Sequence, residues 1–205
     1  MRLRNVKNKD EILNNCNYLC NDYKQFKNFT NDKPIHVEIG MGKGDFIIGM
    51  AKKYPNINFI GIEKYDSVIV LAIQKLNDEQ IPNLKLLKMD ALKLNKVFDH
   101  KIDTIYLNFS DPWPKDRHAK RRLTHKLFLE KYDSIFKNKK HIIMKTDNRK
   151  LFEFSIKSFV EYGYLIGDIS LDLHNDDYSN NVETEYEVKF SNKGFPIYMV
   201  DVFKN

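Results

Sequence analysis

The sequence predicts an α/β fold: a mostly parallel sheet with helices on both faces and an antiparallel edge at its C-terminal side. Three observations predict it. From residue 35, apolar β-like runs alternate with amphipathic segments of helical period, the pattern of strand–helix–strand units. A glycine-rich turn, with Gly40, Gly42 and Gly44, separates the first run from the first helical segment. After residue 163 the alternation gives way to two apolar runs with one amphipathic stretch between them, which fits antiparallel strands added to a parallel sheet.

In chain order, parallel strands are expected at residues 35–39, 58–62, 84–88, 103–109 and 141–145, and helices at 44–53, 65–79, 124–137 and 148–161. Residues 164–173 and 195–203 complete a set of seven strands. Between them lies the stretch 184–192, in which Thr184 and Glu187 have the spacing of a capping box that opens a helix through Tyr186–Phe190, with Gly194 just beyond. Residues 1–33 are polar, with a short helical pattern around 11–19. They read as a basic, helical N-terminal extension, with residues 34–205 as the domain proper. Arg2, Arg4, Lys7 and Lys9 in that extension suit either RNA contact or a disordered basic start.

Composition narrows the class. The chain has 205 residues, 42% hydrophobic and 30% charged, enough for a core and against disorder. The net charge is +6, but only six of the 34 cations are arginines, and three of those fall within residues 117–122. A lysine-rich solvated surface explains the total; it does not explain the arginine cluster. No apolar run approaches the ~20 residues that span a bilayer, and the first residues lack the apolar core of a signal peptide. Cys16 and Cys20, four apart on an expected helix, read as buried reduced thiols, and no His or Cys spacing resembles a zinc site. A soluble protein of a reducing compartment is expected.

Ligands of such sheets bind at the carboxyl ends of the strands, and those positions are acidic here: Glu38, Glu63, Asp90, Asp111 and Asp147. Each alone could be a cap or turn former. Around the glycine turn they make a pattern. Glycine lets a ligand approach the backbone without meeting a Cβ. Glu63 ends the next strand 23 residues after Gly40, close to the ~20-residue offset of a ribose-binding carboxylate. Asp90 ends the third strand, where it could accept from an adenine amino group. An adenosine-containing cofactor fits, either a nicotinamide dinucleotide or S-adenosylmethionine. Glu38 beside the turn would repel a pyrophosphate and attract the cationic methionine end of S-adenosylmethionine, which favours the second.

The fourth strand is followed by Asp111, Pro112, Trp113, Pro114 and Lys115, then Arg117, His118, Lys120, Arg121 and Arg122. Two prolines stiffen the loop, and the sole tryptophan is either a stacking platform for a base or a packed core aromatic. Residues 111–126 carry six positive and two negative charges, and arginine forks match phosphate, so the stretch reads as a nucleic-acid contact.

These residues resemble the bacterial tRNA (guanine-N(7)-)-methyltransferases. The likeness is carried by the turn from Val37 to Gly44, by Glu63 and Asp90, and by Asp111-Pro112-Trp113-Pro114-Lys115 with Arg117, His118, Lys120, Arg121 and Arg122. Asp147 and the run Thr184-Glu185-Tyr186-Glu187 complete it. The resemblance implies a Rossmann-like class I S-adenosylmethionine-dependent methyltransferase acting on the guanine at variable-loop position 46 of tRNA. It implies that Glu38, Gly40, Gly42, Gly44, Glu63, Asp90 and Asp111 bind the cofactor, with Asp111 also catalytic. It further implies that Lys115, Arg117, His118, Lys120, Arg121, Arg122, Asp147, Thr184, Glu185, Tyr186 and Glu187 meet the substrate. A cytoplasmic monomer or homodimer, working without metal or membrane, is expected. Read without the resemblance, Asp147 and the Thr184–Glu187 spacing favour helix capping, which is compatible with ligand contact. The other readings are a methyltransferase for exocyclic amines, a nucleotide-dependent dehydrogenase and a non-enzymatic RNA-binding module. They leave unexplained, respectively, the arginine run, Glu38 with the glycine spacing, and the acidic strand ends.

Overall fold

The computed structural model describes residues 8–76, 79–176 and 181–205; Arg2, Arg4 and Lys7 lie outside them. The described elements run α1 (Lys9–Asn15), β1 (Leu19–Cys20), β2 (Ile35–Ile39), α2 (Asp45–Lys53), β3 (Asn58–Glu63), α3 (Asp66–Leu76), β4 (Leu84–Lys88) and β5 (Thr104–Asn108). They continue with α4 (Lys126–Asp133), β6 (Lys140–Thr146), α5 (Arg149–Glu161), β7 (Leu165–Ser170), α6 (Glu185–Ser191) and β8 (Tyr198–Lys204). Short 3-10 turns cover Ala91–Lys96 and Asp116–Arg121.

The strands form one sheet in the order β1-β4-β3-β2-β5-β6-β8-β7. Strands β1 to β6 pair in parallel, while β8 enters antiparallel between β6 and β7. The order reverses at β2, which has β3 on one side and β5 on the other. That switch point is where the carboxyl ends of two strands open a crevice.

Alternation along the strands sends side chains to two cores. Val37, Ile60, Ile62, Ile105 and Leu107 join one core with Phe128, Tyr132 and Phe159 of α4 and α5. Phe59, Leu86 and Tyr106 join another with Ile47 of α2, Val70 of α3 and Leu13 of α1. Strand β3 is buried along its whole length, as a strand covered on both faces must be. Helix α5 buries Leu151, Phe152, Ser155 and Phe159, the one-sided spacing of a helix on a sheet.

The sheet has eight strands where seven were expected. The additional one, β1, pairs with β4 through Leu19 and Cys20. Two residues carry no period, so nothing in the sequence marks them. They cover the edge that β4 would otherwise leave open. Helix α1 accordingly ends at Asn15, short of the expected limit, and the two cysteines do not share a helix. Cys16 caps α1 in extended conformation, Cys20 lies in β1, and both are free thiols of intermediate exposure. Lys9 pairs with Asp10 and Asp66 at 3.6 and 4.0 Å.

A candidate cofactor and nucleic-acid site

The glycine turn joins β2 to α2 at the switch point. Gly40 N–H and Met41 N–H both donate to the Ile62 carbonyl at 2.9 Å, lacing the turn to β3. Gly40 and Gly42 have φ of 78° and 57°, and a Cβ at either would meet nothing within 4 Å. Open space and left-handed backbone together make a cradle for a ligand. Gly44 is different. A Cβ there would stand 2.9 Å from the Ala72 Cβ, so this glycine serves the close packing of α2 on α3, not ligand approach.

Glu38 is 1% exposed. One carboxylate oxygen accepts from Asn108 Nδ2 at 2.9 Å. The other, Oε2, and the Asn108 Oδ1 have no partner among the described residues. Burial pushes the Glu38 carboxyl up to about 8, only partly opposed by the Asn108 bond and the Lys145 charge. A buried carboxyl with an unpartnered oxygen beside an open glycine cradle has the chemistry to take a cation. The cleft it belongs to, about 370 Å³, is lined by Glu38, Gly40, Gly42, Phe109, Thr184 and Tyr186 among others.

Glu63 accepts from Gly42 N at 3.3 Å and, through its other oxygen, from the Lys64 and Tyr65 amides at 2.6 and 3.1 Å. Burial raises its pKa against those bonds, and the charge of Asp111 adds to the rise, which places Asp111 within electrostatic reach of the turn. Asp90 accepts from Leu92 N at 2.9 Å, capping the turn that follows β4. It also pairs with Lys64 at 2.8 Å. Burial opposes its ionisation, but Lys64 and the Leu92 amide outweigh it and hold the carboxyl below its usual range. Glu38 thus lines the cleft and Glu63 braces its glycine turn, while Asp90, at the end of the neighbouring strand, lines a separate hollow with Tyr23, Lys64 and Lys93.

Beyond β5 the chain turns sharply. Phe109 and Trp113 have φ of 49° and 42°, left-handed values that cost on the order of 1–3 kcal/mol each for non-glycine residues. Asp111 is exposed. Trp113 is half-buried, with the His118 ring edge-on at 5.8 Å and the Arg121 guanidinium over its face at 4.8 Å. Lys115, Arg117, Lys120 and Arg121 are exposed, available to a phosphate backbone. Arg122 is not. It is 9% exposed and turned inward, bonded to the Pro112 and Trp113 carbonyls.

Helix α6 closes the far side of the cleft. Thr184 accepts from Glu187 N at 2.9 Å, and Glu187 Oε2 accepts from Thr184 N at 3.3 Å, so the capping box is real. Glu187 is fully buried and also pairs with Lys145 at 2.6 Å. Burial lowers the Lys145 pKa, opposed by the Glu187 charge. Glu187 is thus occupied inside the protein, by Lys145, Asn181 and the Thr184 amide. His174 and Glu183 stand near it in a group of potential ligand atoms within 4.8 Å of one another, but the Lys145 ammonium already neutralises the shared carboxylate. Glu185 bonds Lys43 of the glycine turn and Lys75 of α3. Tyr186 packs on Phe109 with ring centres 5.0 Å apart, and its hydroxyl lies 3.5 Å from Asp147. Asp147, expected on its own sequence context to cap α5, does not. Asn148 does, accepting from Leu151 N at 2.9 Å, which leaves the Asp147 carboxylate outside the cap.

Sequence reasoning missed Asn108 and Lys145 as site residues. They are register partners on β5 and β6, and their position directly before the acidic strand ends was the available signal. It also missed Lys43, which ties the glycine turn to α6.

A model of a putative methyltransferase family matches residues 32–200. The tRNA (guanine-N(7)-)-methyltransferase of Bacillus velezensis is 53% identical over 199 residues, covering 94% of this chain and 92% of that one. The chain belongs to the tRNA (guanine-N(7)-)-methyltransferase family. The member from Streptococcus mutans is 51% identical over 208 residues, with 98% and 99% covered. Among solved structures, the fold matches an antibiotic-related methyltransferase (TM-score 0.62, 16% identity, 89% of this chain and 97% of that one). It also matches an S-adenosylmethionine-dependent methyltransferase from Aquifex aeolicus (0.57, 14%, 84% and 84%). The architecture of this family member is the Rossmann-like class I methyltransferase fold. Its residues fit S-adenosylmethionine: the cradle at Gly40 and Gly42 is open, and the orphaned Glu38 oxygen suits a cationic end.

Proposed function

We propose that this chain transfers the methyl group of S-adenosylmethionine to N7 of guanine in tRNA, at the guanine of variable-loop position 46. Membership of the family supports the reaction. The observation that carries it is the junction of the cofactor cleft with the Asp111–Arg122 segment. A buried cation receptor opens beside an exposed aspartate, a tryptophan and a set of exposed cations. In this reading Glu38, Gly40, Gly42, Glu63 and Asp90 hold the cofactor, which supplies an electrophilic sulfonium methyl group. Gly44 assists by letting α2 pack closely enough to form the turn.

N7 of guanine has its lone pair free at neutral pH, so the chain need hold no general base at that atom and no metal. What its residues do is position and exclude water. Asp111 and Asp147, at neighbouring strand ends, accept from the N–H groups of guanine's Watson–Crick edge, which adenine lacks at the ring nitrogen. Their charge also favours the base as it becomes cationic. Tyr186 holds Asp147 from α6. Trp113 and His118 border the base, while Lys115, Arg117, Lys120 and Arg121 take phosphates. Thr184, Glu185 and Glu187 act indirectly, by building and latching α6. Among the described residues no helix is long and apolar enough to cross a membrane, and a tRNA substrate is met in the cytoplasm. There we place the enzyme, as a monomer or homodimer.

The test uses labelled S-adenosylmethionine with unmodified tRNA transcripts carrying guanine or adenine at position 46. Label should enter the first alone and map to that nucleotide by chain cleavage after reduction and mild base. Equal incorporation into both would overturn the site assignment, and incorporation into neither would overturn the reaction.

A further inference from the structure

We propose that Arg122 is a positioning residue for methyl transfer: it holds the Asp111-Pro112-Trp113-Pro114 loop by its backbone carbonyls and does not contact tRNA phosphate. The inference rests on the function proposed above. It separates two adjacent arginines that the sequence presents as equivalents.

The loop cannot hold itself. Pro112 and Pro114 have no N–H to donate, and Trp113 between them sits at φ 42°. Carbonyls in such a segment need donors from elsewhere. One guanidinium supplies them. Arg122 Nε donates to the Pro112 carbonyl at 3.1 Å, and Nη2 donates to the Trp113 carbonyl at 3.0 Å. A planar fork spans two successive carbonyls in a way a single ammonium cannot. The same guanidinium lies 4.3 Å from the centre of the Phe154 ring. With one side against an aromatic, two of its five N–H groups committed to carbonyls and only 9% of the residue exposed, little of the guanidinium is left to meet a phosphate. Arg121 is the opposite: exposed, with its guanidinium over the indole from outside.

The support behind Arg122 is helix α5. Phe154 belongs to it, the Thr124 hydroxyl pairs with Ser155 at 2.8 Å, and Ser158 donates to the Thr124 carbonyl at 2.6 Å. The same helix starts immediately after Asp147 and its neighbour Asn148. Asp111, on the loop held by Arg122, and Asp147, at the head of α5, therefore share one mount. The Arg122–Phe154 contact fixes the separation of the two carboxylates assigned to the base.

The test compares Arg122→Lys and Phe154→Leu with wild type, with Arg121→Ala as reference. Trp113 is the only tryptophan, so acrylamide quenching of its fluorescence in the cofactor-free protein reads the loop without any turnover. Arg122→Lys should make Trp113 more quenchable and lower kcat by about tenfold or more, since small misplacements of positioned groups are costly. KM for tRNA should stay within about twofold, and Arg122→Gln, which removes the charge, should leave the salt dependence of tRNA binding unchanged. Phe154→Leu should repeat this in milder form, and the double variant should add little to Arg122→Lys alone. Arg121→Ala should instead weaken tRNA binding and flatten its salt dependence by about one contact. The proposal is overturned if Arg122→Lys leaves the quenching of Trp113 unchanged, if its kcat stays within about twofold, or if the salt slope of Arg122→Gln flattens as with Arg121→Ala. A wild-type protein that does not methylate tRNA would overturn the proposed function instead, while the quenching comparison would still decide what Arg122 holds.

Discussion

Replacing Glu38 by glutamine should remove a proton that cofactor binding otherwise expels. In the free protein burial pushes the Glu38 carboxyl up to about 8, so at pH 7 it is about nine-tenths protonated. A cationic ligand beside it favours the carboxylate, so binding at pH 7 should release close to one proton, roughly 0.9. The sign follows from the raised value: binding strengthens as pH rises towards about 8 and then levels. Between pH 6.5 and 8.5 the ionised fraction climbs from about 3% to about three-quarters, and apparent affinity should rise roughly 25-fold. In Glu38→Gln both effects should vanish, with Asn108 still able to donate to the new amide oxygen. Calorimetric titration of S-adenosylmethionine in two buffers of different ionisation enthalpy counts the protons directly. S-adenosylhomocysteine, which keeps the ammonium but lacks the sulfonium, shows which charge Glu38 senses. No proton release by the wild type, or equal release by Glu38→Gln, would refute the assignment. Linkage in the free protein runs the other way. The stability contributed by protonated Glu38 is complete below 4.5, the ordinary value, and is lost as pH rises to about 8.

Three further outcomes follow from the geometry. Asn148→Ala should cost about 1 kcal/mol of stability through loss of the α5 cap, whereas Asp147→Asn should lower kcat while leaving the midpoint of denaturant unfolding nearly unchanged. Lys145→Met strands the fully buried Glu187 carboxylate and should cost about 3–5 kcal/mol; Lys145→Met combined with Glu187→Leu should recover most of it in the same denaturation assay. Glu185→Gln breaks the bonds from α6 to Lys43 and Lys75, which are surface contacts worth at most about 1 kcal/mol. Stopped-flow release of S-adenosylhomocysteine should be a few-fold faster at low salt and match wild type at high salt.

The local features around the candidate cofactor cleft were legible because their logic is local. A glycine turn, a carboxylate at each strand end and a capping box are patterns of near neighbours, and all appear where the spacing puts them. The roles that escaped depend on distant partners. Arg122 and Arg121 look alike in sequence, and only the fold shows that one meets the carbonyls of residues nine and ten positions away while the other faces out. Lys145 and Glu187 read as ordinary charges until a separation of 42 residues closes into a buried pair. Asp147 and Asn148 are both good caps, and backbone geometry alone chooses the second. The two-residue strand β1 is too short to leave any periodic trace.

The central claim is that the acceptor atom is N7 of one guanine. A tRNA transcript assembled with 7-deazaguanine at position 46 replaces that nitrogen by carbon while keeping the Watson–Crick edge that Asp111 and Asp147 are proposed to grip. Such a transcript should compete with normal tRNA at similar affinity and accept no methyl group. Incorporation of label into the 7-deaza transcript at the normal rate would contradict the account.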